Sequence, residues 1–233
     1  MEDKKMDQLL KSYILPDTFY PISKLLDYCH LGSIRNYGKG EIIVFPDEIL
    51  DKVIFVMSGR FDVYTIADEG REILMYTAGR HCLMDRLFKF EEDGVEIVAM
   101  EDSKVCFFSK EQLLLIFKQD EQIIFDFFRN YHAKGLYFFK HFTETKRYAP
   151  SIRVLRLFHE LYKSNGEFNI DHWEIKIALS NKMISEITGI HYVTVSKILA
   201  SLRKEKILRK KTKAIIIYDL EKLKEMIDVG ISY

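Results

Sequence analysis

Cysteine is scarce in this 233-residue chain, with three in all, Cys29, Cys82 and Cys106. They are widely spaced and form no CxxC and no Cys/His cluster, which argues against a zinc site or a cysteine-ligated cluster. Cys82 and Cys106 lie in strand-like surroundings that suit buried, inert thiols. Long hydrophobic runs are missing as well. No stretch approaches membrane-spanning length, and the opening MEDKKMDQLLKSY is charged throughout, so neither a membrane span nor a secretory signal is expected and the chain reads as cytoplasmic. Net charge is also absent, because 35 Lys+Arg offset 35 Asp+Glu. That balance conceals a division: residues 1–146 carry 19 basic and 25 acidic side chains, whereas residues 147–233 carry 16 and 10. A basic C-terminal part fits a surface that meets phosphate, and the length fits two domains.

Within the basic part, Leu179 to Leu208 reads LSNKMISEITGIHYVTVSKILASLRKEKIL. Apolar residues at Ile184, Ile187, Ile190, Val195, Ile198, Leu199 and Leu202 give two short helical stripes, broken at Thr188-Gly189-Ile190, where glycine can take the left-handed geometry that ends a helix. The second helix begins near His191-Tyr192 and runs into Arg203, Lys204 and Lys206. A bare pattern of this kind also fits an ordinary helical hairpin; the basic segment that follows favours a DNA recognition helix. Upstream, Lys146 to Pro150 reads as a hinge, Ser151 to Ser164 as an amphipathic helix and Trp173 to Ile177 as a strand. Downstream, Leu208–Lys210 and Ala214–Tyr218 flank the basic turn Lys211-Thr212-Lys213, which completes a winged helix-turn-helix. Base contacts are expected from His191, Tyr192, Val193, Thr194, Ser196 and Lys197, and phosphate contacts from Lys211 and Lys213.

From Ile14 to about Phe117 the chain reads as short strands punctuated by turns. Segments 33–37, 41–45, 52–57, 61–67, 72–76, 95–100 and 104–108 are separated by Gly38-Lys39-Gly40, Pro46-Asp47-Glu48, Ser58-Gly59-Arg60 and Asp68-Glu69-Gly70, a regularity that predicts a closed β-roll. A helix over about 119–146 follows. Its residues Ile124, Phe128, Tyr131, Gly135, Phe138 and Phe142 are spaced 4, 3, 4, 3, 4, the heptad signature of a helix that pairs with another helix, and a twofold homodimer is the simplest way to bury it. The expected fold is therefore α+β: an N-terminal β-roll at 1–118, a dimerisation helix at 119–146 and a winged helix-turn-helix at 147–233.

The combination of KGEIIVFPDE, VIFVMSGRFDVYTIADEGREILMYTAG, a long helix and a C-terminal helix-turn-helix resembles the CRP/FNR family of bacterial transcription regulators over nearly the whole length. Segments such as ILPDTFYPISKL, FRNYHAKGLYFF, PSIRVLRLFHEL and EITGIHYVTVSKILASLRKE are similar to its halophenol-responsive members. The resemblance implies a cupin-like roll of the cyclic-nucleotide-binding-domain type and contact with RNA polymerase. Cyclic nucleotide binding itself is disfavoured, since Met84-Asp85 and Ile97-Val98-Ala99 stand where the cyclic-AMP-binding members carry Gly-Glu and Arg-Ser/Thr-Ala. The oxygen-sensing members need four cysteines. His30, His81, His132 and His141 are available to a haem, but no spacing demands iron, so no cofactor is expected.

By itself, Lys134 fits a lysine that snorkels to water or pairs with a glutamate over an aromatic patch. The resemblance implies instead that Lys134 and Tyr131 contact the phenolate oxygen of an ortho-halogenated phenol, assisted by Arg86, where the halophenol-responsive members have lysine. Tyr76, Phe88 and Tyr131 then supply rings that stack on the effector. The chain thus reads as a ligand-responsive regulator that binds double-stranded DNA at an A·T-rich inverted repeat, with Val193 meeting a thymine methyl. Two rivals stay open: an enzyme using Lys134 and Tyr131 as acid/base partners, and a DNA-binding protein answering to redox through cysteine.

Overall fold

The computed structural model describes residues 19–46, 48, 50–67, 71–87 and 94–230. The chain divides into two compact units, one of residues from Pro16 to Leu136 and one built on residues from Tyr137 onward.

In the first unit the strands are β1 (Ser33–Tyr37), β2 (Ile42–Val44), β3 (Lys52–Ser58), β4 (Phe61–Ala67), β5 (Arg71–Ala78), β6 (Leu83–Arg86), β7 (Val95–Ala99) and β8 (Ser103–Phe108). They form two antiparallel four-stranded sheets, in the orders β1-β8-β3-β6 and β2-β7-β4-β5. This is the expected roll. The central strand β3 is buried on both faces from Val53 to Val56. Val53 and Phe55 pack with Ile22, Leu25, Leu113, Ile116, Ile123 and Phe127, so the face of opposite parity, Ile54 and Val56, lies inside the roll.

Three features of this unit differ from the strand-only reading of 14–117. A 3₁₀ helix covers Ser23–Leu31, β6 occupies a segment to which the strand reading assigns no element, and helix α1 spans Lys110–Gln119. The first helix buries only Leu25 and Cys29, too few positions to set a period. The start of α1 does carry a local signal: the Ser109 hydroxyl accepts from the Gln112 amide while Gln112 accepts from the Ser109 amide, a reciprocal capping box. The turn expected at Asp68-Glu69-Gly70 lies outside the described residues.

Helix α2 runs from Gln122 to Arg147, and the boundary between the two units falls within it. The second unit continues with α3 (Pro150–Asn165), β9 (Gly166–Asn169), β10 (His172–Ile175), α4 (Asn181–Thr188), α5 (Tyr192–Lys204), β11 (Leu208–Lys210), β12 (Ile215–Ile217) and α6 (Leu220–Val229). Proline at the first position of α3 tolerates the missing amide hydrogen there. The four strands pair antiparallel in the order β11-β12-β10-β9, and the wing hairpin closes with the Lys211 amide donating to the Ala214 carbonyl at 2.7 Å. Strand β9 and helix α6 go beyond the sequence expectation. Strand β9 is mostly exposed and shows little apolar alternation. Leu155, Phe158, Ile184, Val195, Leu202, Ile215 and Leu223 meet in one core.

Gly59 illustrates how the roll turns. Its φ is +85°, and a Cβ there would lie 2.7 Å from the Cα of Ser103, whose hydroxyl accepts from the Arg60 amide and donates to the Glu101 carbonyl. Gly59→Ala is expected to lower unfolding free energy by about 2–4 kcal/mol, combining left-handed strain with a backbone clash; urea denaturation of the purified variant measures it.

Candidate functional site

Two faces of α2 divide the work. Ile123, Phe127, Asn130 and Lys134, spaced 4, 3 and 4, are buried, while Phe128 (66% exposed) and Phe142 (59%) belong to a largely exposed stripe. That stripe contains the expected dimer seam. Ile124 and Phe138 are half-buried, and Gly135 is exposed with nothing within 4 Å of its Cβ direction.

The buried face ends in a cation. Lys134 is 7% exposed, and its ammonium donates to the Leu83 carbonyl of β6 at 2.5 Å. Three rings surround it: Tyr76 with its centroid at 5.1 Å, Tyr131 at 5.5 Å and Phe19 at 6.0 Å. No carboxylate among the described residues lies within ion-pair distance, although Asp85 acts on it through space. Burial holds the Lys134 pKa below the ordinary lysine value, opposed by Cys82 and Asp85. Burial also pushes Tyr76 and Tyr131 well above the ordinary phenol range, and the charge of Asp85 and its hydrogen bond with Tyr131 add to the effect. At neutral pH both hydroxyls are therefore intact donors beside an ammonium whose charge is incompletely solvated.

Of the five effector residues expected from the sequence, the structure gathers Tyr76, Tyr131 and Lys134. Arg86, 8% exposed, is adjacent: it donates to the Glu48 carbonyl at 3.3 Å and its charge acts on Tyr76. Phe88 lies outside the described residues. Sequence reasoning missed Phe19, Asn130, Asp85 and the Leu83 carbonyl. Asn130 lies one turn before Lys134, so the 3.6-residue period could have found it; Phe19 belongs to no periodic element and carried no signal.

The DNA-facing end is built on a tight turn. Gly189, at φ +62° and ψ +34°, ends α4, the Ile190 amide donates to Ser185, and the Ser185 hydroxyl donates back to the Ile190 carbonyl. His191 then caps α5, its Nδ1 accepting from the Val193 amide at 3.4 Å. Tyr192 and Val193 are 56% and 39% exposed, and Thr194 and Lys197 also stand in the open. Ser196 is half-buried and accepts from the Asn181 amide at 3.0 Å, which ties the two helices together. Lys211 and Lys213 are exposed on the wing. Behind this motif the end of α2 is clasped to α3. The Glu144 carboxylate accepts two bonds from Arg156, at 2.9 and 2.7 Å; the Arg156 guanidinium lies 4.3 Å over the Tyr148 ring; and Arg153 donates to the Thr188 carbonyl at 2.7 Å.

A β-roll carrying a buried cation among aromatic rings, a long helix and a winged helix-turn-helix define the class: a ligand-responsive, DNA-binding transcription regulator. The Crp-like helix-turn-helix domain family matches residues 152–226 and the cyclic nucleotide-binding domain family matches residues 34–120. A cysteine-to-serine variant of CprK complexed with OCPA is 42% identical to this chain, with 91% of this chain and 97% of that one covered and a TM-score of 0.84. Oxidized CprK in complex with o-chlorophenolacetic acid is 41% identical, with 92% and 91% covered and a TM-score of 0.55. The HTH-type transcriptional regulator ArcR of Staphylococcus epidermidis is 21% identical over 202 residues, 83% of this chain and 85% of that one. The chain belongs to the CRP/FNR family of transcription regulators. Its roll nevertheless has buried Ile97, and no cation, where the cyclic-AMP-binding members carry the arginine that meets the cyclic phosphate. Among the described residues no helix is long and apolar enough to cross a membrane, no metal-binding cluster occurs, and Cys29, Cys82 and Cys106 are all buried free thiols.

Lys134→Met tests the cost of the buried charge. Because the folded pKa is depressed, the unfolded chain binds the proton more tightly. The wild-type protein therefore bears its full penalty below the folded pKa and loses it as pH rises toward 10.5. The variant is expected to be more stable at pH 7 by about 1 kcal/mol or more, with the difference shrinking as pH rises; chemical denaturation across that range reads both.

Proposed function

We propose that the protein is a homodimeric, effector-dependent transcription activator that senses an ortho-halogenated phenol, bound as the phenolate between Lys134 and Tyr131, and that it binds an A·T-rich inverted repeat. The observation that carries this reading is the ammonium of Lys134, buried among the rings of Phe19, Tyr76 and Tyr131 and, among the described residues, hydrogen-bonded to one backbone carbonyl. Such a group gains most from an anion that brings its own aromatic ring. A phenolate supplies the charge, and the ring replaces water with apolar contact. Tyr131, kept protonated by burial, donates a second hydrogen bond to the same oxygen once it is released from Asp85, and Arg86 adds a second cation at the Tyr76 side. The o-chlorophenolacetic acid bound by the oxidized form of CprK has this chemistry.

Discrimination follows from acidity. An unsubstituted phenol has a pKa near 10 and is almost wholly neutral at pH 7, so each unit by which an ortho halogen lowers that value favours the binding form about tenfold. Dimerisation through the exposed stripe of α2 brings two recognition helices to two half-sites. The exposed Tyr192 and Val193, in place of charged groups that read G and C edges, favour thymine methyl contact. Activation through contact with RNA polymerase rests on family analogy alone.

Calorimetric titration of o-chlorophenolacetic acid and of its chlorine-free parent, the corresponding hydroxyphenylacetic acid, tests the sensing reading. The chlorinated acid is expected to bind more tightly at pH 7, the preference to narrow as pH rises and the parent ionises, and Lys134→Met to lose about 30-fold or more, the worth of a charged hydrogen bond. Equal affinities at pH 7, or a Lys134→Met variant that binds as well as the wild type, would sink it.

A further inference from the structure

Two sides of the aromatic box around Lys134 come from regular structure, Tyr76 on β5 and Tyr131 on α2. The third does not. Phe19, 3% exposed, belongs to an irregular segment running to Ile22, and its ring stands edge-on to Tyr76 with a centroid separation of 5.4 Å. The segment is held down from one side by Asn130, which is fully buried and whose side-chain amide donates to the carbonyls of both Phe19 and Tyr20. The Asn130 oxygen is buried with no hydrogen bond to any other described residue. Keeping such an acceptor unsatisfied is costly, which argues that the two donated bonds are what the residue is kept for. Tyr20 takes a left-handed backbone, φ +49°, and its hydroxyl accepts from Arg129 at 2.7 Å, with the guanidinium 5.4 Å from its ring. Beyond it the Ile22 amide donates to the carbonyl of His81, itself at φ +64°. A strained, non-helical strap is thus latched at three points over a side of the box that can move without breaking a sheet or a helix.

We infer that residues Phe19–Ile22 form the gate of the effector site, with Phe19 as the aromatic wall that closes on the bound ring and Asn130 as the positioning residue that latches the strap shut. The inference rests on the phenolate reading of the Lys134 site and adds the route of entry. A gate has a kinetic signature that a passive wall lacks: loosening it speeds both entry and escape.

The experiment is stopped-flow binding of o-chlorophenolacetic acid to the full-length protein, with melting curves to establish that each variant folds. Asn130→Leu is expected to raise the association rate severalfold and the dissociation rate more, so that affinity falls about tenfold. Tyr20→Gly, at a part-exposed position where glycine suits the backbone, is expected to move both rates in the same direction without touching the core, and it stands in if Asn130→Leu does not fold. Phe19→Leu removes the closing ring and is expected to raise dissociation alone. The gate is overturned if the folded variants keep both rates within twofold of wild type, or if association slows. A wild-type protein that binds no halogenated phenol overturns the sensing reading and the gate together, whereas a binding wild type with indifferent strap variants overturns the gate only.

Discussion

A single ammonium placed where water cannot reach it organises the roll. Removing a charged amine from water costs several kcal/mol even after the surroundings relax, and the Leu83 carbonyl and three ring faces return only part of that. The deficit appears as the depressed pKa of Lys134. Under the proposed function this deficit is what an anion of the right shape would make good, recovering the missing solvation so that charge and ring are recognised in one step. The neighbouring Asp85 limits the deficit through space, and no salt bridge to Lys134 occurs among the described residues.

The output end obeys a different constraint. Gly189 provides a left-handed corner that lets α4 and α5 cross within three residues, and the surrounding bonds among Ser185, Ile190 and His191 satisfy the backbone groups that two helix ends leave open. The Asn181 to Ser196 bond adds a polar tie between the helices, and the Glu144–Arg156–Tyr148 clasp holds the last turn of α2 against α3. A bidentate guanidinium pair stacked on a ring is stiff and directional. This end of α2 therefore belongs to the DNA-binding unit, and Lys134 lies on the same helix.

How much of this was legible follows from periodicity. The helix-turn-helix announced itself through two stripes and one glycine, and the roll through turns at regular intervals. The stripe at Phe128, Gly135 and Phe142, proposed as the dimer seam, is visible at heptad spacing, and these residues are exposed. The adjacent buried stripe at Ile123, Phe127, Asn130 and Lys134 has the same spacing but turns polar halfway, so an apolar pattern search passes over it. Lys134 and Tyr131 were marked by resemblance, not by any property of a lysine near a tyrosine. Phe19 could not be found from the sequence, because its place above Lys134 depends on an amide 111 residues away.

The coupling of effector to DNA through the charge at residue 134 is what the proposed function turns on. Its most direct measurement is the affinity of the full-length protein for an A·T-rich inverted repeat, by fluorescence anisotropy at constant salt, with and without saturating o-chlorophenolacetic acid, for the wild type and Lys134→Met. Tighter DNA binding with effector is expected in the wild type, with an equal factor by which DNA tightens effector binding, as linkage requires, and no effector dependence in the variant. Wild-type DNA affinity indifferent to the effector, or an undiminished response in Lys134→Met, would contradict it.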